Sequence, residues 1–179
     1  MDKLITERLI LRPWEITDSK DLYEYAKSDL VGPRAGWKPH KSEEESKDII
    51  KMFIEDNDTL AIVLKSENKV IGGIGLHKRK PDESLAHLSQ REVGYVLNPK
   101  YWGNGYVPEA VHSIIDYGFN KLKLDLIWCA HYDFNNNSRR VNEKCRFNFR
   151  FERKEVIKAL DDLEVTTLYY CKFREEFIS

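Results

Sequence analysis

The chain has 179 residues, with 29 Lys and Arg against 30 Asp and Glu, a formal charge of −1 and a pI near 6.5. That length suits one domain over residues 1–179 with a real core, and the charge balance lacks the basic stripe that a nucleic-acid partner requires. The three cysteines, Cys129, Cys145 and Cys171, are an odd number without paired spacing. They indicate neither a disulfide framework nor a metal site, and fit a reducing cytoplasm. No stretch has the apolar core of a signal peptide or the length of a membrane span.

In chain order, residues 6–12 alternate as a strand that Pro13 ends, and a short helix is expected from about Asp18 with Leu22, Tyr25 and Ala26 inward. Residues 32–40 read as a loop by their glycines and prolines. Ser42 and Glu45 form a capping box, and Ile49, Ile50, Phe53 and Ile54 then mark one helical face. Residues 59–64 and 70–76 read as a hairpin; Gly72, Gly73 and Gly75 in the second strand point to a bulge or a close approach by another backbone. A polar loop follows over residues 81–89.

From Arg91 a third strand of this antiparallel group leads through Leu97 into Asn98-Pro99, and Gly103-Asn104-Gly105 opens a helix. Its buried face is expected to carry Val107, Ala110, Val111, Ile114, Ile115 and Leu122, with Pro108 in the first turn. Unpaired N–H groups and the positive end of the macrodipole then converge beside the glycines, where a phosphate is favoured. Residues 125–132 read as a strand buried on both faces. Asn135-Asn136-Asn137-Ser138 caps a short helix with Val141 and Cys145 inward. Phe147, Phe149 and Phe151 alternate as a half-exposed strand, and a turn near Asp161-Asp162 precedes a last strand over residues 165–173.

The segments E-V-G-Y-V-L, Y-W-G-N-G-Y-V-P-E-A and N-N-N-S-R-R-V-N-E-K-C-R-F, with the opening T-E-R-L-I-L-R-P and the segment P-H-K-S-E-E-E, occur in one order along the chain. Together they resemble the GNAT superfamily of acetyl-CoA-dependent N-acetyltransferases, and within it the RimJ/RimL branch, over nearly the whole chain. The resemblance implies a GNAT-like α+β fold: a central mixed, mostly antiparallel sheet of about seven strands flanked by about four helices. It also implies transfer of the acetyl group of acetyl-CoA to a primary amine, a protein N-terminus or a small molecule, through a ternary complex. A monomer or a homodimer fits equally.

Carried over by position, the pyrophosphate loop falls on Lys100, Gly103 and Gly105, with backbone N–H groups of Gly103, Asn104, Gly105 and Tyr106 holding the phosphate. Lys100 stands where the family has glutamine or arginine. Val96 and Leu97 would pair with pantetheine, Asn135 would hold it, and Ser138 would sit near the sulfur. Asn142 occupies the position at which many relatives carry a tyrosine acid. Arg146 stands where a glycine usually precedes the phenylalanine, so a left-handed helix end would be strained there.

An alkylammonium has a pKa of about 10, so the reaction needs a base, for which Glu92 is the candidate; an edge-strand salt bridge is its structural alternative. A backbone N–H near Leu97 would serve the oxyanion and Ser138 the leaving thiolate, although Ser138 also reads as a helix cap. Trp37 and His40 are candidates for the amine-side pocket. His131, Tyr132, His112, Arg139, Arg140, Cys145 and the acidic run of residues 43–45 read more simply as structural or solvated groups. A dinucleotide-binding oxidoreductase would need a third glycine where Pro108 stands, and a nucleotide kinase would need Gly-Lys-Ser or Gly-Lys-Thr. The competing class is a non-catalytic acyl-CoA-binding sensor or interaction module, against which Glu92 and Ser138 together speak.

Overall fold

The computed structural model describes residues 1–178. Its elements are β1 (Leu4–Ile5), β2 (Leu9–Pro13), α1 (Ser19–Ala26), α2 (Gly32–Ala35), α3 (Glu43–Asp56), β3 (Thr59–Leu64) and β4 (Lys69–His77). There follow β5 (Gln90–Leu97), α4 (Tyr106–Asp116), β6 (Leu126–Tyr132), α5 (Asn136–Lys144), β7 (Asn148–Ile157), β8 (Leu163–Phe173) and α6 (Glu175–Ile178). The strands form one sheet ordered β1-β2-β3-β4-β5-β6-β8-β7. β5 and β6 run parallel, whereas β1/β2, β2/β3, β3/β4, β6/β8 and β7/β8 are antiparallel. This is the mixed α+β architecture expected, with eight strands rather than about seven and, among the described residues, six α-helices rather than about four. The additions are pieces too short for a period to show: the two residues of β1 and the four each of α2 and α6.

The chain divides into two units, residues 1–75 with 95–110, and residues 76–94 with 111–179. In the first, α1 and α3 cover one face of β2, β3 and β4 through Trp14, Leu22, Tyr25, Ala26, Ile50, Ala61, Val63 and Val70, and Trp14 meets Phe53 at 5.5 Å between ring centres. Ser42 caps α3, its Oγ accepting from the Glu45 N–H at 3.1 Å, while the Glu45 carboxylate takes the N–H of Lys41 at 2.6 Å. The box is thus displaced by one residue. Gly72 is glycine because a Cβ there would overlap the carbonyl oxygen of Val96, so β4 and the end of β5 approach more closely than any side chain permits.

In the second unit, Leu126, Trp128, Tyr169 and Cys171 form a core with Leu85, Leu88, Ala130, Phe151 and Phe173 packed on it. Gln90 ties this core to the loop before β5: its Oε1 accepts from Trp128 Nε1 at 2.7 Å and its amide donates to the carbonyls of Leu85 and Leu88. Residues 117–121 wind as a π turn, and a Cβ at Gly118 would press into Ile127. The three cysteines are buried. Burial pushes the thiols of Cys145 and Cys171 up to about 11. Among the described residues no helix is long and apolar enough to cross a membrane, and no group of three or more His, Cys, Asp or Glu could hold a metal ion.

Candidate active site

In the first unit, the end of β5 passes into a turn that its own side chains fix. Asn98 Oδ1 accepts from the Lys100 N–H at 3.1 Å, Trp102 Nε1 donates to the Leu97 carbonyl at 2.9 Å, and Asn104 Nδ2 donates to the carbonyls of Tyr101 and Trp102 at 3.1 and 3.2 Å. Gly103 and Gly105 have φ of +82° and +79°, in the left-handed region, and α4 begins at Tyr106. Only glycine takes that conformation without strain, and the first N–H groups of a helix have no intrahelical acceptor. A Cβ at Gly103 would have nothing within 4 Å, so the turn is open on that side. The turn can therefore cradle a phosphate by its backbone.

The two strand residues before it divide the work. The Asn98 N–H is spent on the Ile71 carbonyl at 2.7 Å and the Val96 carbonyl lies against Gly72, so both face β4. By strand alternation the N–H of Leu97 faces the other edge. The parallel ladder to β6 pairs Gln90 with Leu126 through Val93 with Cys129.

Lys100 turns aside. Its amine pairs with Glu24 Oε1 of α1 at 2.9 Å, and the same carboxylate accepts from Lys69 at 2.8 Å and from Asn98 Nδ2 at 3.2 Å. Hydrogen bonds from Lys69 and then Lys100 pull Glu24 down to about 2. Glu24 is a residue that the sequence did not single out, because an acidic residue on an amphipathic helix looks solvated. His40 is buried, with Nδ1 2.8 Å from Ser46 Oγ and its ring 5.1 Å from that of Trp37. Burial lowers its pKa, so the ring is neutral near pH 7. Trp37 is half-buried and packs on the α1/α3 core.

In the second unit, Glu92 lies on β5 at 8% exposure. Its Oε1 accepts from Arg79 Nη1 at 3.1 Å, and burial nevertheless raises its pKa, Arg79 opposing the shift. Glu155 of β7 adds to the rise, and is itself held by the hydroxyls of Tyr169, at 2.9 Å, and Thr167. Tyr132 is half-buried, its hydroxyl pushed up by burial and then by the charge of Glu155. A carboxylate that burial makes more basic, on a strand beside aromatic hydroxyls, suits a proton acceptor. Arg79 and Glu155 escaped the sequence reading because the fold, and not sequence spacing, brings them to Glu92.

The cap of α5 is Asn135: its Oδ1 accepts from the Ser138 N–H at 3.3 Å. The Ser138 hydroxyl is therefore not the cap, and the side chain is only partly buried one turn before the fully buried Asn142. His131 Nδ1 lies 2.8 Å from the Tyr132 carbonyl, which requires that nitrogen to carry the proton, and burial lowers the ring's pKa. Arg139 pairs with Glu143 at 3.2 Å on the exposed side, and His112 is exposed, as expected for both.

Residues 8–148 match the family described as acetyltransferase (GNAT) domain. The chain belongs to that family, and it is a GNAT acetyltransferase. It is 32% identical over 132 residues to the uncharacterized N-acetyltransferase p20 of Bacillus licheniformis, which covers 71% of each chain. Its fold is similar to that of a GNAT-family acetyltransferase from Bacillus anthracis, at a TM-score of 0.85 and 27% identity over 97% of this chain and 99% of that one. A ribosomal-protein-S5-alanine acetyltransferase from Vibrio fischeri has the same fold at a TM-score of 0.74 and 23% identity, over 98% of each chain.

Proposed function

We propose that the chain transfers the acetyl group of acetyl-CoA to a primary amine, a protein N-terminus or a small molecule, as a member of the RimJ/RimL branch working in the cytoplasm. The observation that carries this is the open turn of Gly103 to Tyr106, with both glycines left-handed at the start of α4. Acetyl-CoA supplies an activated thioester as co-substrate. The N–H groups of Gly103, Asn104, Gly105 and Tyr106 hold its pyrophosphate. Val96 and Leu97 present strand backbone to the pantetheine arm, with the Leu97 N–H donating to it or to the oxyanion. Lys100 contributes through Glu24 to the shape of the turn, and Asn135 and Ser138 of α5 serve pantetheine and sulfur.

Glu92, made more basic by burial, takes the proton of the ammonium, directly or through water, and leaves a nitrogen lone pair to attack. Ser138 donates a hydrogen bond to the sulfur as the carbon–sulfur bond breaks. Trp37 borders the acceptor and His40 supports its ring. The pairing of Arg79 with Glu92 favours a second reading, a non-catalytic acyl-CoA sensor in which Glu92 is only an ion-pair partner. Thiol release from acetyl-CoA, measured against a panel of peptides and small amines, decides between them. Release with some amines supports the enzyme, whereas binding without release across the panel supports the sensor.

A further inference from the structure

We propose that Arg8 is a phosphate-binding residue, with Nη2 of its guanidinium donating to the same anionic group that the backbone of the Gly103–Tyr106 turn holds. The inference rests on the coenzyme reading above. Arg8 sits between β1 and β2, and its side chain extends to the start of α4. Its Nη1 donates to the Asn104 carbonyl at 3.0 Å, its Nε to Glu109 Oε2 at 2.7 Å, and its guanidinium carbon lies 4.6 Å from the centre of the Tyr106 ring. Nη2 stands 3.6 Å from the position a Cβ on Gly105 would take. The guanidinium is thus held on three sides at the turn itself.

Two of its five N–H donors are committed by these bonds, and among the described residues Nη2 donates to no protein acceptor. The side chain is 43% exposed, so those donors are accessible. Glu109 does not consume the charge alone: the hydroxyl of Thr6 and the N–H of Arg8 also donate to it, at 2.6 and 2.8 Å. The basic residue inside the loop, Lys100, is meanwhile paired with Glu24 at 2.9 Å. A guanidinium held by its other two nitrogens beside helix-start N–H groups presents Nη2 as a fixed, charge-assisted donor to a phosphate oxygen. Arg8 takes over the role for which the position of Lys100 would otherwise be the candidate.

The test compares binding of CoA, dephospho-CoA and pantetheine to the parent, Arg8→Gln and Arg8→Lys by calorimetry at several salt concentrations. Arg8→Gln is expected to weaken CoA and dephospho-CoA at least about tenfold, to leave pantetheine affinity unchanged and to make the salt dependence shallower. Arg8→Lys, which keeps the charge without the fork, should fall between. Equal loss for pantetheine, or an unchanged salt dependence, would make Arg8 a brace of the turn and overturn the proposal. A loss seen with CoA but not with dephospho-CoA would move the contact to the 3′-phosphate and overturn it equally. Unchanged CoA affinity sinks Arg8 alone, while a parent that binds no CoA sinks the coenzyme reading and Arg8 with it.

Discussion

Lys172 reaches from β8 to the end of α5, where its Nζ donates to the carbonyls of Cys145 at 3.3 Å and Arg146 at 3.0 Å. Arg146 there has a φ of +55°, the Phe147 N–H returns to the Asn142 carbonyl at 3.0 Å, and the Arg146 N–H returns to Glu143 at 3.2 Å. This is a Schellman end without its glycine, made tolerable by a buried ammonium that binds the freed carbonyls. The left-handed residue costs about 1–2 kcal/mol, part of which glycine returns as unfolded-state entropy. Arg146→Gly should therefore stabilise the protein by about 1 kcal/mol, a rise of about 2–4 °C in Tm. A thermal melt showing a lower Tm would mean that the Arg146 side chain carries stability of its own.

The same end shows what could be read from the sequence and what could not. The glycine missing before Phe147 was visible, but the lysine that compensates lies 26 residues away and only strand pairing brings it there. Long apolar periods were legible: the inward positions Leu22, Tyr25 and Ala26 of α1, Ile50 of α3, and both faces of β6 are buried. The failures lie where a local irregularity shifts the phase. Leu122, expected inward, is 38% exposed because the π turn before it rotates the helix. Phe149 is 53% exposed because the β7/β8 register shifts between Phe149 and Phe151. Ile54 is 45% exposed because the buried stripe of α3 is narrow, Ser46 and Ile50. Of the candidate site, the glycine turn and the Asn135 cap were legible as local signals, whereas Glu24, Arg8, Arg79 and Glu155 act across strands and helices.

Gly105 offers a direct check on the turn. A Cβ there meets only Arg8 Nη2 at 3.6 Å, so Gly105→Val is opposed by backbone conformation at φ +79° and by its intrusion on the ligand, not by core packing. Calorimetry should show acetyl-CoA affinity falling more than tenfold, about 1.4 kcal/mol or more. Far-ultraviolet circular dichroism should stay near the parent's. Parent-like affinity would remove this turn from the cofactor site.

Glu92 yields a pH prediction with a definite sign. Its pKa is raised by burial, so the acidic limb of the kcat profile should lie above the ordinary carboxylate value of about 4.3. Arg79 pulls the other way, so Arg79→Met should move that limb to higher pH and leave the plateau largely intact. Glu92→Gln should lower turnover by about 10²–10⁴-fold and abolish the limb. For stability, a raised folded-state pKa means a contribution present below the unfolded value and lost as pH rises through the folded one. Glu92→Gln should therefore melt higher than the parent at pH 7. Parent-like turnover with that gain in Tm would leave Glu92 a structural residue.

Ser138 and Asn135 should separate chemistry from architecture. Ser138→Ala is expected to lower kcat more than acetyl-CoA affinity, because its hydrogen bond strengthens only as sulfur gains charge. Asn135→Ala should cost about 1 kcal/mol of stability through the lost cap of α5. A Ser138→Ala defect confined to binding would place the hydroxyl on the cofactor and not on the leaving group.

Glu24 predicts the acid limit of the first unit. Held at about 2 by Lys69 and Lys100, it contributes stability above its unfolded value of about 4.3, and that contribution is lost as pH falls toward 2. Glu24→Gln should consequently cost stability at pH 7 and little at pH 2, as urea titrations at the two pH values would show.

The buried cysteines bear on how the reaction can be followed. A thiol whose pKa stands near 11 and whose sulfur is covered reacts slowly with disulfide reagents, because the thiolate is the attacking form. Coenzyme A released in solution has no such cover. A colorimetric disulfide reagent added to a working mixture will therefore report turnover against a nearly silent protein, and a slow rise in the protein-only blank would measure the opening of the core around α5 and β8.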